Sequence, residues 1–389
     1  MRRARRIEKV PPYLFAEIDR KRREAVSRGV DVISLGIGDP DLPSPDFVVE
    51  RLVREVRDPA THRYPPYQGT ADFRRAVASY YAARFGVDLD PEKEVIALIG
   101  SKEGLAHLVW AFVDPGDAAL VPDPGYPVYG IHTLLAGGEA VPLPLDPERG
   151  FLPDLNSIDA ARLNRVRVMF LCYPNNPTAG TADLGFFEEA VEFARRNDIL
   201  LVHDSAYVEL TFDGYEAPSV LQAKGAKDVA VEFGSLSKPF NMTGWRLGYA
   251  VGNREAISAL AIVKTNTDSG QFEAVQRAGV EALTNPGSRE FIRRMRAVYQ
   301  RRRDIAVRTL AGLGCPVPVP RGSFYIWAPV PRGFTSAGFA EHVLDKAGVI
   351  VTPGSAYGTR GEGYFRVSLT LPDDRLEEAF RRLAGCVSW

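Results

Sequence analysis

The 389-residue chain predicts an α/β fold, a mainly parallel sheet covered by helices with a smaller α+β unit after it. Three observations lead there. From about residue 95, short apolar runs alternate with amphipathic helical patterns, the arrangement a doubly covered sheet needs. After "LTNPGS" the pattern changes to one long basic helix, and a shorter strand–helix–strand–helix series follows it. No Ser/Gly-rich linker, low-complexity tract or internal repeat separates the parts.

Taken in order, "EVIALIG" reads as a strand and "SKEGLAHLVWAFV" as its helix. "VRVMFLCYP" is a buried strand, followed by the amphipathic "LGFFEEAVEFARRND"; "ILLVHD", "VAVEFGS" and "RLGYAVG" are three more strands. In "REFIRRMRAVYQRRRDIAVRTLAGLG" the arginines alternate with apolar positions, so a solvated amphipathic helix is expected rather than a nucleic-acid stripe. "SFYIWAPV", "AGFAEHVLDKAG", "YFRVSLT" and "DRLEEAFRRLAG" complete the smaller unit.

Composition narrows the function. Lys+Arg 48 against Asp+Glu 49 leaves a formal charge of -1, so there is no basic field for nucleic acid or anionic lipid. The three cysteines, Cys172, Cys315 and Cys386, suit neither a disulfide framework nor a zinc site, and a reducing cytoplasm is the expected compartment. The five histidines are not at ligand spacing, so no metal is expected. No apolar run approaches the roughly 18 residues of a membrane span, and the basic N-terminus lacks the apolar region of a secretory signal.

The strand ends carry the chemistry, because ligands of open α/β sheets sit there. "GSKEG" opens a helix whose first N–H groups could meet an anion, with Ser101 and Lys102 beside them; an ordinary helix cap is the alternative. "PDPGYPVY" holds Tyr126 in a proline-rigid loop, as a ring cover or a packed tyrosine. "YPNNPTAG" presents Asn176 as an amide donor or as turn chemistry. "HDSAY" ends a strand with Asp204, a carboxylate that needs a cationic partner at such depth, and Tyr207 follows. "FGSLSKPFNMTGWRLGY" sets Lys238 among small and apolar residues, with Ser235 before it and Arg246 after it. Each loop alone has a structural reading; together they ask for one ligand, pyridoxal 5'-phosphate.

In these motifs and their order the chain resembles the class I aminotransferases of fold type I over nearly its whole length. The resemblance implies a mainly parallel seven-stranded sheet in a large cofactor-binding domain, residues 45–285. An N-terminal arm and small domain, 1–44 and 286–389, would be discontinuous. It makes Lys238 the residue that holds the cofactor and moves protons, Asp204 the partner of the pyridine nitrogen, and Asn176 and Tyr207 donors to the ring hydroxyl oxygen. Tyr126 would cover the ring. Ser101, Lys102, Ser235 and Arg246 would hold the phosphate, joined by Tyr64 from a neighbouring subunit, which implies a homodimer with shared active sites. Arg366 in "GYFRVSLT" would grip the substrate α-carboxylate, with Gly38 and Asn266 lining the substrate site.

As a set, "RIEKVPPYLFAEID", "SLGIGDPDLP", "IGSKEG" and "TPGSAYGTRGEGYFR" are most similar to the LL-diaminopimelate aminotransferases of bacterial lysine biosynthesis, in which Tyr13 would approach the substrate. Aspartate or broad amino-acid transamination is the second expectation, with a carbon–sulfur β-lyase and a non-catalytic regulator behind it. There are two departures from the pattern. Tyr67 and Gln68 stand where relatives often carry an acidic residue, and Ala179 precedes Gly180 where glycine is usual, a change expected to reshape only that turn.

Overall fold

In the computed structural model, which describes residues 2–11, 14–387 and 389, burial follows strand pleating. Val95 and Ala97 pack into one hydrophobic core and Ile96 and Leu98 into another, so alternate side chains of one strand face opposite layers. The first core is covered by helices Ala71–Phe85, Leu184–Arg196 and Glu273–Thr284; the second by Ser101–Phe112, Val128–Ala136 and Arg254–Thr265. Tyr13 lies outside the described residues.

The strands, in chain order, are β1 Ile33–Ser34, β2 Val95–Leu98, β3 Ala118–Asp123, β4 Glu139–Asp146, β5 Leu152–Pro153, β6 Val166–Cys172 and β7 Leu200–Asp204. They continue with β8 Ala230–Ser235, β9 Gly248–Gly252, β10 Tyr325–Pro329, β11 Val349–Ile350, β12 Thr352–Pro353 and β13 Tyr364–Ser368. Among the described residues the large sheet runs β2-β9-β8-β7-β6-β3-β4-β5. The stretch from β8 to β4 is parallel, while β9 is antiparallel to both β2 and β8.

Seven longer strands match the expected sheet, and an eighth of two residues, β5, adds antiparallel at the β4 edge. The sequence motifs did not mark β3 and β4. In β4 the prolines Pro142 and Pro144 hide a half-buried alternating pattern, tolerated because the strand lies next to the edge. The parallel strands place Asp123, Cys172, Asp204 and Ser235 at the same carboxyl end of the sheet.

The smaller sheet is β10-β13-β12, antiparallel, with β1 pairing β11 in parallel alongside. Its core includes Phe324, Ile326, Phe365 and Leu376. The long helix Ser288–Gly312 corrects one expectation. Arg302 and Arg303 are only 3% exposed. Arg302 pairs with Asp41 and Asp373, and Arg303 with Asp213 and Asp304, so opposed carboxylates let these two arginines be buried.

Candidate active site

A cavity of about 370 Å³ opens at the carboxyl end of the large sheet, where the strand-end loops meet the segment around Gly38. Nine of the expected site residues line it: Gly38, Ser101, Lys102, Tyr126, Asn176, Asp204, Tyr207, Ser235 and Arg246 surround the tenth, Lys238. These positions are far apart in sequence, and the strand ends bring them together.

Lys238 follows β8 and reaches across the cavity to donate from Nζ to the Gly38 carbonyl at 2.7 Å. Burial, opposed by Asp39 and reinforced by the nearby Arg366 and Arg246 guanidinium groups, brings the amine down to about 8. A substantial neutral fraction near physiological pH makes it a usable nucleophile and base. Gly38 has to be glycine, because a Cβ there would stand 2.0 Å from the Tyr325 Oη.

Asp204 ends β7 and is 6% exposed. Its Oδ2 accepts from the Tyr129 hydroxyl at 2.8 Å, and its Oδ1 is buried with no close hydrogen-bond partner among the described residues. Burial pushes the carboxyl up, opposed by the Tyr129 bond, the His203 charge, the Ala206 N–H and Lys238. One strand residue earlier, His203 is fully buried and bonds Glu232 at 2.8 Å. Glu232 also accepts from the Tyr81 hydroxyl at 2.7 Å and the Val220 N–H at 2.9 Å.

The Tyr207 and Tyr325 hydroxyls lie 3.0 Å apart. Burial first, then Tyr325, raises the Tyr207 phenol well above its usual range, so it stays a protonated donor. Asn176 accepts through Oδ1 from Arg366 Nη1 at 2.8 Å. Arg366 itself is fully buried in β13 and is not among the residues that line the cavity. Its other terminal nitrogen donates to the Gly36 carbonyl at 2.6 Å, and its guanidinium lies 4.0 Å from the Tyr325 ring centre.

At the other end of the cavity, the helix Ser101–Phe112 points its N-terminus inward. Two glycines permit this approach. A Cβ on Gly100, which has φ +75, would meet Arg246 Nη2 at 2.2 Å, and one on Gly248 would meet the Ser101 nitrogen at 2.8 Å. Arg246 donates to the Thr243 carbonyl at 2.8 Å. Helix N–H groups, a lysine, a serine hydroxyl and a guanidinium thus converge, a donor set suited to a phosphate.

These residues fit pyridoxal 5'-phosphate. Phosphate donors, a buried carboxylate suited to a protonated ring nitrogen and an amine of lowered pKa line one cavity. Tyr64 is 84% exposed and does not line the cavity of its own chain. Asn266 caps the helix Arg254–Thr265, exposed, with its amide on the Ile262 carbonyl, and is likewise outside the lining.

Sequence motifs did not single out Tyr129, Ser237, Thr243 and Tyr325, which also line the cavity. Tyr129 lies three residues after Tyr126 in the same quoted loop; a tyrosine at that spacing from a marked aromatic, on the following helix, was the available signal. Ala179 stands in a left-handed turn. It adopts φ 60, the conformation glycine would take, and donates to the Asn175 carbonyl at 3.0 Å.

Residues 30–383 match the family model described as aminotransferase class I and II. The LL-diaminopimelate aminotransferase of Moorella thermoacetica is 58% identical over 98% of this chain and 98% of that protein. That of Desulforudis audaxviator is 55% identical over 99% and 97%. Among solved structures, substrate-bound BacF from Bacillus subtilis superposes with a TM-score of 0.96 at 36% identity, covering 99% of this chain and 98% of that one. A single mutant of Thermus thermophilus aspartate aminotransferase gives 0.93 at 32% identity over all of both chains. By a family match over most of its length and a fold shared with solved aminotransferases, this chain belongs to the class I and II aminotransferases and is a pyridoxal-phosphate-dependent transaminase.

Proposed function

We propose that this aminotransferase moves an amino group from LL-diaminopimelate to 2-oxoglutarate, in lysine biosynthesis. The substrate reading is supported by full-length relatives of that name at 55–58% identity. The observation that carries the site reading is that the buried Asp204 carboxyl, the Lys238 amine and the phosphate donors Ser101, Lys102, Ser235 and Arg246 line one cavity.

When bound, pyridoxal 5'-phosphate supplies an aldehyde carbon to which amines attach and a ring that accepts electron density from the substrate Cα. In this reading Lys238 would hold the cofactor through its amine and would serve as the base for the substrate Cα proton; such positioned proton transfer contributes roughly 10²–10⁴-fold. The Asp204 carboxylate would keep the ring nitrogen protonated. Tyr207 and Asn176 donate to the ring hydroxyl oxygen, Tyr126 covers the ring, and Ser101, Lys102, Ser235 and Arg246 hold the phosphate. Arg366 binds the α-carboxylate, with Gly38 beside it.

A homodimer is part of the proposal. Tyr64, exposed in its own chain together with Tyr67 and Ile262, would reach the partner's phosphate site, and Asn266 and Tyr13 would complete the substrate site. The domain division, 45–285 against 1–44 with 286–389, is supported by β1 pairing with β11 rather than with the large sheet. A cytoplasmic location agrees with three free cysteines, Cys172, Cys315 and Cys386. Among the described residues no helix is long and apolar enough to cross a membrane.

The test mixes the cofactor-loaded protein with one amino acid at a time, without acceptor, and follows the cofactor absorbance. Conversion by LL-diaminopimelate and glutamate, with aspartate and alanine inert, is the expected result. Conversion by aspartate instead would make Tyr67 and Gln68 the marks of a changed pocket.

A further inference from the structure

Lys264 is 1% exposed, in the helix Arg254–Thr265, and faces two carboxylates. Its Nζ donates to both oxygens of Asp268, at 2.9 and 3.0 Å, and to Glu103 Oε1 at 3.3 Å. Glu103 is the third residue of the helix that opens at Ser101, and its Oε2 accepts from the Ile99 N–H at 2.9 Å, fixing the turn that presents Ser101 and Lys102. His107, one turn on, also contacts Glu103 at 2.6 Å.

The other carboxylate leads to the opposite half of the phosphate cradle. Asp268 accepts from the Gly270 N–H at 2.7 Å, and the next residue, Gln271, donates from Nε2 to the Trp245 carbonyl at 2.7 Å and to the Arg246 carbonyl. Arg246 adopts φ 56, and its guanidinium packs on Gly100, at the start of the first helix. The bonds therefore close a ring through both halves of the cradle, and one ammonium joins its two acidic members.

Glu103, His107 and Asp268 bring ligand-type atoms within 4.8 Å of one another, but Lys264 already stands among them as the cation. We propose that Lys264 is a positioning residue for the cofactor phosphate: it ties the helix N-terminus to the Arg246 loop and cancels a carboxylate charge that would otherwise repel the dianion. This inference rests on reading Ser101, Lys102, Ser235 and Arg246 as the phosphate site.

The full-length chain, freed of cofactor, is titrated with pyridoxal 5'-phosphate and separately with pyridoxal, and the two dissociation constants are compared. Glu103, Asp268 and Lys264 together carry one net negative charge; Lys264→Met makes it two, Lys264→Met with Asp268→Asn returns it to one, and Asp268→Asn alone makes it zero. In Lys264→Met the constant for the phosphate form should rise roughly tenfold to a hundredfold, while that for pyridoxal stays within about threefold. The double variant should recover the electrostatic part of the loss and keep the part due to the broken tie. Equal weakening of both ligands, or no recovery in the double variant, overturns the proposal. If Lys264→Met fails to fold, Asp268→Asn alone carries the test, since it should tighten the phosphate form but not pyridoxal, and absence of that difference overturns the proposal. Arg246→Gln separates this idea from the one beneath it. If only Arg246→Gln discriminates between the ligands, the Lys264 proposal fails alone; if neither does, the cradle reading fails with it.

Discussion

Tyr129 donates its phenolic proton to Oδ2 of Asp204 at 2.8 Å, so one oxygen of this buried carboxylate is held by a side chain of the helix that follows the Tyr126 loop. Tyr129→Phe keeps the stacking of the ring on Phe170, 4.8 Å between centroids, and removes the hydroxyl that bonds Asp204 and also meets Cys172. Because burial already pushes the Asp204 carboxyl up, losing a bond that opposes it makes a neutral acid more prevalent. The expected result is a fall in kcat of about tenfold and a stability loss of about 1 kcal/mol. Steady-state kinetics and thermal melts of the two proteins check it; unchanged kcat would mean that Tyr129 does not tune the acid.

Lys238→Ala should abolish transamination while leaving the fold intact, and Lys238→Met should stabilise the cofactor-free chain. The folded amine sits at about 8 against 10.5 in the unfolded chain, so the unfolded state binds more protons between these values. Stability of the native lysine form therefore rises with pH across that window, and its cost is fully present below about 8. At about pH 7, Lys238→Met should gain about 2 kcal/mol, allowing for the part of the side chain that faces the cavity, and the gain should shrink as pH rises. Denaturant melts over a pH series measure this; a gain that does not depend on pH would assign it to packing instead.

Gly38→Ala tests the wall opposite Lys238. Its Cβ would lie 2.0 Å from the Tyr325 hydroxyl, so Tyr325 must move and lose its 3.0 Å contact with Tyr207. The kcat/KM should drop at least about tenfold, with a stability loss of about 1–3 kcal/mol. Combining the change with Tyr325→Phe should return part of the lost stability, because the clashing oxygen is gone. No recovery would place the damage in the backbone.

Ala179→Gly should stabilise the protein. At φ 60 an alanine is strained by roughly 1–2 kcal/mol, and the greater unfolded-chain freedom of glycine offsets part of that. A net gain of up to about 1 kcal/mol is expected, with unchanged kinetics, since Ala179 does not line the cavity. A loss of stability would show that its methyl, buried at 6% exposure, contributes more by packing than the turn costs.

Much of the site could be read in the chain because its chemistry is local. The strand that ends in Asp204 and the turn that carries Lys238 each have a pattern of their own, and apolar runs announce where the backbone must be buried. Tyr129, Tyr325 and the His203–Glu232 pair were not legible in this way, since each gains its role from a partner on another element: Asp204, Tyr207 and Gly38, or a neighbouring strand. The strand β4 escaped for a different reason, its prolines masking a pattern that only its position beside the edge makes tolerable.

The order of apolar runs and the residues at their ends determined, without coordinates, that a parallel sheet would carry an amine, an acid and phosphate donors on one edge. Tertiary structure decided how those groups are held. Whether Arg302 and Arg303 face water or lie buried depends on Asp41, Asp373, Asp213 and Asp304, none of them predictable from helical periodicity. In the same way, the lowered amine of Lys238 follows from burial and from Arg366 and Arg246 far along the chain. Periodicity is a property of neighbours in sequence, but desolvation and charge pairing are summed over neighbours in space.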